Sequence, residues 1–327
     1  MREVRIASVQ PERMAHLAPF EGQCDRDEAR HLVEANLEMA VTLLDRAGRG
    51  GCDIACYPED TQGIAHYGFY LDDPALFSGL VETIPGPTTE RLAEVARSHA
   101  MHIVFGLFER DGDRLYNTAV LLGRSGELLG KYRKVHLPIA EAWTITRGDS
   151  FPVFTTDFGP VGLLICYDIM FPEAARCLSL NGAELLLNPT MSYSGPGQCA
   201  DNGLIRLRLR ALDSFAPLVV SLCGDGSAIV GSDGMVLALA QPGEAIIRAT
   251  VDLDATPRDP SHWEVLTGTA DVKARLLRER QPLAYGALVT PEPPAVAACP
   301  LLRSTPAEIS AAYQYIRQRW SGKPQGE

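Results

Sequence analysis

No apolar run in this 327-residue chain approaches the length of a membrane span, so no membrane helix is expected. Positive charge is scarce: 30 Lys and Arg stand against 41 Asp and Glu, a formal net charge of −11. That balance argues against nucleic acid or an anionic membrane surface as a partner. No Walker loop and no Gly-x-Gly-x-x-Gly run follows a strand-like segment, so no cofactor is expected. Cys52 and Cys56 lie at no zinc-finger spacing and no His/Cys cluster accompanies them, so no metal is expected either. Met1-Arg2-Glu3-Val4-Arg5 leads straight into a strand pattern, which predicts no signal peptide. Eight cysteines without a secretory signal then point to reduced thiols and a cytoplasmic protein. For Cys24, Cys52, Cys56, Cys177, Cys199, Cys223 and Cys299 the expectation is ordinary core packing.

Cys166 is different. It ends the apolar run Gly162-Leu163-Leu164-Ile165 and is followed at once by Tyr167-Asp168-Ile169-Met170-Phe171-Pro172-Glu173. A thiol at a strand-to-helix junction is held rigidly yet reaches a pocket. Two further segments supply what such a thiol needs. Tyr57-Pro58-Glu59 closes an earlier apolar strand with a carboxylate, and Lys131-Tyr132-Arg133-Lys134 precedes the turn bounded by Pro138. A thiol is mostly protonated at neutral pH and needs a base before it attacks an amide or nitrile carbon. A buried carboxylate with a raised pKa serves. The negative charge that develops on the former carbonyl oxygen needs a cation or backbone N–H groups. His136 offers a Cys-His alternative, but the papain-type sequence around the cysteine is absent.

Together these motifs resemble the nitrilase superfamily, the carbon-nitrogen hydrolases, over about residues 4 to 288. The resemblance rests on Pro58-Glu59, on Tyr132-Arg133-Lys134-Val135-His136-Leu137-Pro138, and on Cys166-Tyr167-Asp168 with Phe171-Pro172-Glu173. Weaker echoes are Val4–Gln10, Gly182-Ala183-Glu184 with Asn188-Pro189, and Arg208-Leu209-Arg210-Ala211-Leu212. It implies Glu59 as general base, Lys134 as stabiliser of the intermediate and Cys166 as nucleophile. Glu141, seven residues after Lys134, matches the second glutamate that orients the lysine and the substrate. The Tyr167 N–H would complete the oxyanion site. Tyr167, Met170, Trp143 and Tyr193 are the candidate pocket residues, with Phe69 and Tyr70 on loops nearby. Asp168 reads as a cap or a supporting group, and Glu173 with Arg176 as a buried ion pair or helix-start charges.

The resemblance also narrows the chemistry. True nitrilases of the family usually carry Trp-Glu after the nucleophile, where this chain has Tyr167-Asp168. Its carbamoyl hydrolases often place arginine where Ile169 and Met170 stand. A small amide with a neutral or apolar acyl part is therefore the expected substrate. N-carbamoyl or nitrile hydrolysis, acyl transfer from the same thioester, and a silent scaffold are the alternatives. The connection from Leu222-Cys223 to Ser227 looks shortened relative to the family. A homodimer or larger homo-oligomer is implied by analogy.

Hydrophobic periodicity predicts strands at Val4–Gln10, Ile54–Tyr57, Met101–Phe108, Asn117–Leu122, Phe151–Thr155, Val161–Cys166, Glu184–Asn188, Leu218–Cys223, Ser227–Gly231, Val236–Leu239 and Ile246–Leu253. Helices are predicted at Glu28–Arg46, Thr88–Ala100, Phe171–Asn181, Asp201–Ser214 and His262–Arg280. Helix-linked strands mixed with direct hairpins fit two facing sheets with helices outside. The family resemblance makes this a four-layer α-β-β-α sandwich of two mixed sheets, an α/β fold. Residues 1–288 would form the hydrolase domain and 289–327 a Pro-rich linker and tail. In that tail, Thr305-Pro306-Ala307-Glu308 is a capping box before an apolar stripe of Ile309, Ala312, Tyr313, Ile316 and Trp320, expected to dock on its own subunit or on a partner.

Overall fold

The computed structural model describes residues 2–12, 26–65, 74–138, 141–191, 203–255, 258, 265–266 and 268–297. The chain divides into two compact units, Met1–Pro19 with Gln23–Pro257, and Phe20–Gly22 with Arg258–Glu327.

In the first unit, strand β1 (Glu3–Gln10) is followed by helix α1 (Arg26–Arg49), β2 (Ile54–Cys56), α2 (Pro74–Leu80), α3 (Pro87–His99), β3 (His102–Asp111), β4 (Arg114–Leu122), β5 (Leu128–Arg133), β6 (Val153–Thr156) and β7 (Gly159–Leu163). Then come α4 (Pro172–Leu180), β8 (Leu185–Pro189), α5 (Leu204–Ser214), β9 (Leu218–Ser221), β10 (Ala228–Val230), β11 (Val236–Leu239) and β12 (Ala245–Asp252). Helix α1 carries Asp27 and Glu28 in its first turn and Arg46 and Arg49 in its last, which complements the helix dipole. It buries Leu37, Ala40, Leu44 and Ala47 along one stripe. Gly48 lets α1 approach α3 closely, because a Cβ there would sit 2.3 Å from the His99 ring. Pro87 opens α3, and the Gly86 N–H donates to Thr89 Oγ1 at 2.6 Å.

The strands form two six-stranded sheets, β12-β1-β2-β3-β4-β5 and β11-β10-β9-β8-β7-β6. Starting from β12 in one and β6 in the other, both run antiparallel, parallel, parallel, antiparallel, antiparallel. Each half is thus a strand, two helix-linked parallel crossovers and a meander, and the unit repeats its own plan. Ile6, Ile54, Val104 and Leu121 of the first sheet pack with Leu163, Leu187, Val219 and Ile229 of the second in one buried cluster. A second cluster joins the outer face of the first sheet to α1 and α3 through Val9, Leu44, Leu92 and Phe105. A third joins the second sheet to α4 and α5 through Leu178, Leu186, Leu207 and Val220. The order of layers is therefore α-β-β-α, as the sequence predicts.

Three local readings are corrected. The strand expected over Val161–Cys166 leaves the ladder after Leu163, because a tight 3-10 turn over Cys166–Met170 takes the Cys166 segment out of the sheet. Leu128–Arg133 is a strand and Pro74–Leu80 a helix that periodicity did not find. The single helix expected over His262–Arg280, in the second unit, is interrupted. Val265 and Leu266 are helical, Gly268 stands at φ +71°, and α6 (Val272–Arg278) starts afresh where Asp271 accepts from the Ala274 N–H at 3.1 Å. Helix α7 (Pro294–Ala297) follows in the same unit. The apolar stripe at 309–320 lies outside the described residues.

Candidate active site

The site stands beyond the carboxyl ends of parallel strands from both sheets, where open α/β sheets place their ligands. Glu59 comes three residues after β2. Gly106 of β3 makes that position possible: its N–H donates to Pro58 O at 3.2 Å and its carbonyl accepts from Thr61 N at 2.8 Å. A Cβ at Gly106 would meet Glu59 Cα at 2.8 Å. The next residue, Asp60, takes the left-handed conformation at φ +57° and accepts the N–H groups of Ile64 and Ala65 at 3.0 and 2.8 Å. Burial pushes its carboxyl up to about 7 against those donors, and the Glu59 charge adds to the rise.

Lys134 follows β5 immediately. Its N–H donates to Asn117 O of β4 at 2.9 Å, which aligns the two residues across the ladder. The side chain is buried, and Nζ donates to Glu59 Oε1 at 2.8 Å and Glu141 Oε2 at 2.7 Å. Glu141 opens the 3-10 turn Glu141–Trp143. Asn117 closes the ring: Nδ2 donates to Glu59 Oε1 at 2.7 Å and to Glu141 Oε1 at 2.6 Å. The backbone N–H of Met191, beyond β8 in the other sheet, donates to Glu59 Oε2 at 3.0 Å.

Cys166 enters from the second sheet. Its backbone stands at φ +44°, a strained conformation for a residue with a side chain, and the residue is partly exposed. Its thiol lies close enough to Glu59 and Lys134 to feel both charges. Burial raises the thiol pKa well above its ordinary range, the Glu59 charge raises it further, and Lys134 opposes. Burial alone would lower the Lys134 ammonium, but Glu141 and Glu59 outweigh it and hold its pKa well above normal. Burial raises Glu141, with the Glu59 charge adding and Lys134 opposing. Two carboxylates thus surround one cation, and the sulfur rests as a thiol beside a carboxylate.

Asp168 acts as a cap and more. Its buried carboxylate accepts from Ile165 N at 3.0 Å, Tyr132 Oη at 2.7 Å and His136 N at 3.0 Å, and pairs with His136 Nδ1 at 2.9 Å. It therefore ties the nucleophile turn to the segment that carries Lys134. His136 also stacks on Phe171 with ring centroids 3.9 Å apart, so its imidazole is engaged between that ring and Asp168. Arg210 of α5 holds the other end of the turn, Nε donating to Ile169 O at 3.1 Å and Nη2 to Met170 O at 3.3 Å. Glu173 is an exposed charge in the first turn of α4 rather than half of a buried pair, because its helix starts at the protein surface. The Arg176 guanidinium lies 5.7 Å from the Phe215 ring centroid.

Tyr167 and Met170 flank the nucleophile and are exposed, whereas Ile169 points into the outer core. Trp143 ends the turn that Glu141 begins. Its side chain, and the residues Tyr193, Phe69 and Tyr70, lie outside what is described. Sequence reasoning missed Asn117. The signal available was its place on a strand that pairs with the lysine segment, but no motif marks it.

A carbon-nitrogen hydrolase family model matches residues 5–259. The chain is 34% identical over 241 residues to omega-amidase NIT2 of Xenopus tropicalis, across 67% of this chain and 83% of that protein. It is 38% identical over 158 residues to a nitrilase of Pyrococcus abyssi, across 48% of this chain and 58% of that one. The fold resembles the crystal structure of a carbon-nitrogen hydrolase from Helicobacter pylori, with a TM-score of 0.70 at 21% identity over 88% of this chain and 99% of that one. An amidase from Nesterenkonia sp. gives a TM-score of 0.65 at 22% identity over 88% and 96%.

Proposed function

Because the chain belongs to the carbon-nitrogen hydrolase family, we propose that it is a cysteine amidohydrolase that cleaves a small non-peptide amide through a thioester acyl-enzyme. Glu59 takes the proton from Cys166 Sγ as the sulfur attacks the carbonyl carbon. Lys134 and the Tyr167 N–H hold the oxyanion. Collapse of the tetrahedral intermediate breaks the C–N bond, and Glu59 hands its proton to the departing amine. Water, deprotonated by Glu59, then attacks the thioester and releases the acid and the thiol. Glu141 holds the lysine from its other side.

One observation carries this reading: the buried Glu59 carboxylate accepts from the Lys134 ammonium at 2.8 Å, and both charges act on the Cys166 thiol. A base and a cation held together beside a thiol are what proton transfer followed by oxyanion stabilisation requires. The omega-amidase relative supports an amide substrate, and the nitrilase relative makes a nitrile the alternative that the test separates from it. Helix α5 exposes Ile205, Leu209 and Leu212 along one stripe, which supports a homo-oligomer.

The test is ammonia release from simple aliphatic amides, ω-amides, N-carbamoyl amino acids and nitriles. Wild type is expected to turn over an amide, and Cys166→Ala to lose about a thousandfold or more in rate. Equal activity in the two proteins would overturn the reading. Intact-mass detection of an acyl adduct on Cys166 would identify the acyl group, and added hydroxylamine would reveal acyl transfer.

A further inference from the structure

We propose that Asn117 is a positioning residue for this reaction: by splitting its two amide hydrogens between Glu59 and Glu141, it fixes the two acids side by side around Lys134 and so holds Glu59 in place as the base. The inference rests on Glu59 being the base.

Four polar groups form a closed ring. Lys134 Nζ bridges Glu59 Oε1 and Glu141 Oε2 on one side, at 2.8 and 2.7 Å. Asn117 Nδ2 bridges Glu59 Oε1 and Glu141 Oε1 on the other, at 2.7 and 2.6 Å. The amide orientation is forced, because exchanging its oxygen and nitrogen would face a carbonyl against two carboxylates. Lys134 supplies one positive charge to two negative ones. Two carboxylates drawn together around one cation tend to take up a proton between them. A proton on Glu59 would remove the base. The Asn117 NH₂ supplies the hydrogen bonds such a proton would otherwise make, without neutralising either acid.

The ring has a cost at its far end. Asn117 is buried, and its Oδ1 has no hydrogen-bond partner among the described residues. A buried orphan acceptor destabilises the fold, and such groups persist where function needs the rest of the side chain. The backbone of the same residue accepts the Lys134 N–H, so Asn117 fixes the lysine as well as both acids. Its neighbour Thr118 turns to the other face and donates to Glu109, part of a separate cluster with Lys131 and Arg133.

Asn117→Asp, which keeps the shape but loses the donors, and Asn117→Ala are the variants. Each is measured for kcat and KM across pH, for iodoacetamide modification of Cys166, and for folding by circular dichroism. We expect kcat to fall by about a hundredfold with KM changed by less than about threefold. The acid limb of the kcat/KM profile should change, because the pair of acids loses the donors it shared. Profiles that superimpose on wild type after scaling would overturn the inference, as would a rise in KM alone. Loss of the fold in both variants would also overturn it, because the residue would then serve the fold. Failure of the parent reading would look different: wild type itself would show no amide turnover dependent on Cys166.

Discussion

At the scale of single residues, the proposed nucleophile is placed against its own ionisation. Burial and the Glu59 charge both push the Cys166 thiol up, and Lys134 pulls it down. In the proposed reaction the sulfur therefore waits as a thiol and gives up its proton as the carbon–sulfur bond forms. The sign of one substitution follows. Glu59→Gln removes a negative charge beside the thiol, so the thiolate becomes easier to form and Cys166 should ionise at lower pH. Activity should meanwhile fall by about 10²- to 10⁴-fold for want of a base. Thiolate absorbance near 240 nm, with Cys166→Ala as the blank, measures the first effect, and ammonia release measures the second. Ionisation at the same or higher pH in Glu59→Gln would contradict the arrangement. Glu59, Lys134 and Cys166 were legible in the sequence because each closes an apolar run or sits in a short motif, whereas Glu141 was legible only through the family resemblance. Asn117 was not legible. It lies in the unremarkable run Leu115-Tyr116-Asn117-Thr118, and only the pairing of its carbonyl with Lys134 N puts its side chain among the acids.

At the scale of elements, the decisive unit is the turn over Cys166–Met170. It is fastened at one end by Asp168 to β5 and the segment after it, and at the other by Arg210 to α5, so Cys166 is tied to both elements. The Tyr132 hydroxyl is the buried link between Asp168 and the lysine-bearing strand. Tyr132→Phe and Asp168→Asn should each lower kcat. Made together, they should fall short of additivity by about 0.5–3 kcal/mol, as contacting residues in one network do. Strict additivity in a double-mutant cycle on kcat/KM would show that the link does not set the geometry. Periodicity could not see this turn. Leu164 and Ile165 are as apolar as the strand before them, and what lifts the chain from the ladder is the Asp168 carboxylate on the Ile165 N–H. Strand β5 escaped notice for the opposite reason. Its Lys131 and Arg133 look like solvated surface, yet they pair with the buried carboxylate of Glu109. Helix α2, seven residues long, is too short to show a period.

At the scale of the whole first unit, hairpins mixed with helix crossovers were legible as an α/β fold, and the family resemblance made that the four-layer plan. The repeated strand plan was not, since the halves share topology rather than sequence. That plan has a mechanical consequence. Glu59, Asn117 and Lys134 belong to the first sheet's side, while Cys166 and Met191 belong to the second, so the inter-sheet core sets the distance between Glu59 and Cys166, the proposed base and nucleophile. Leu163 and Ile229 are both fully buried in that core. Leu163 ends the strand that leads to Cys166, whereas Ile229 lies on β10, two strands away from β8 in the same sheet. Truncating either to Ala should cost about 2–5 kcal/mol of stability through lost burial and the cavity left behind. Their effects on catalysis should part. Ile229→Ala should keep kcat/KM near wild type at temperatures where it is folded. Leu163→Ala should lose about tenfold or more, because an ångström-scale shift of the nucleophile is felt in the reaction. Chemical denaturation gives the first pair of numbers and amide turnover the second. Equal losses of kcat/KM in the two variants would mean that the core acts on the site only through global stability, and not through the register of the strand that carries the sulfur.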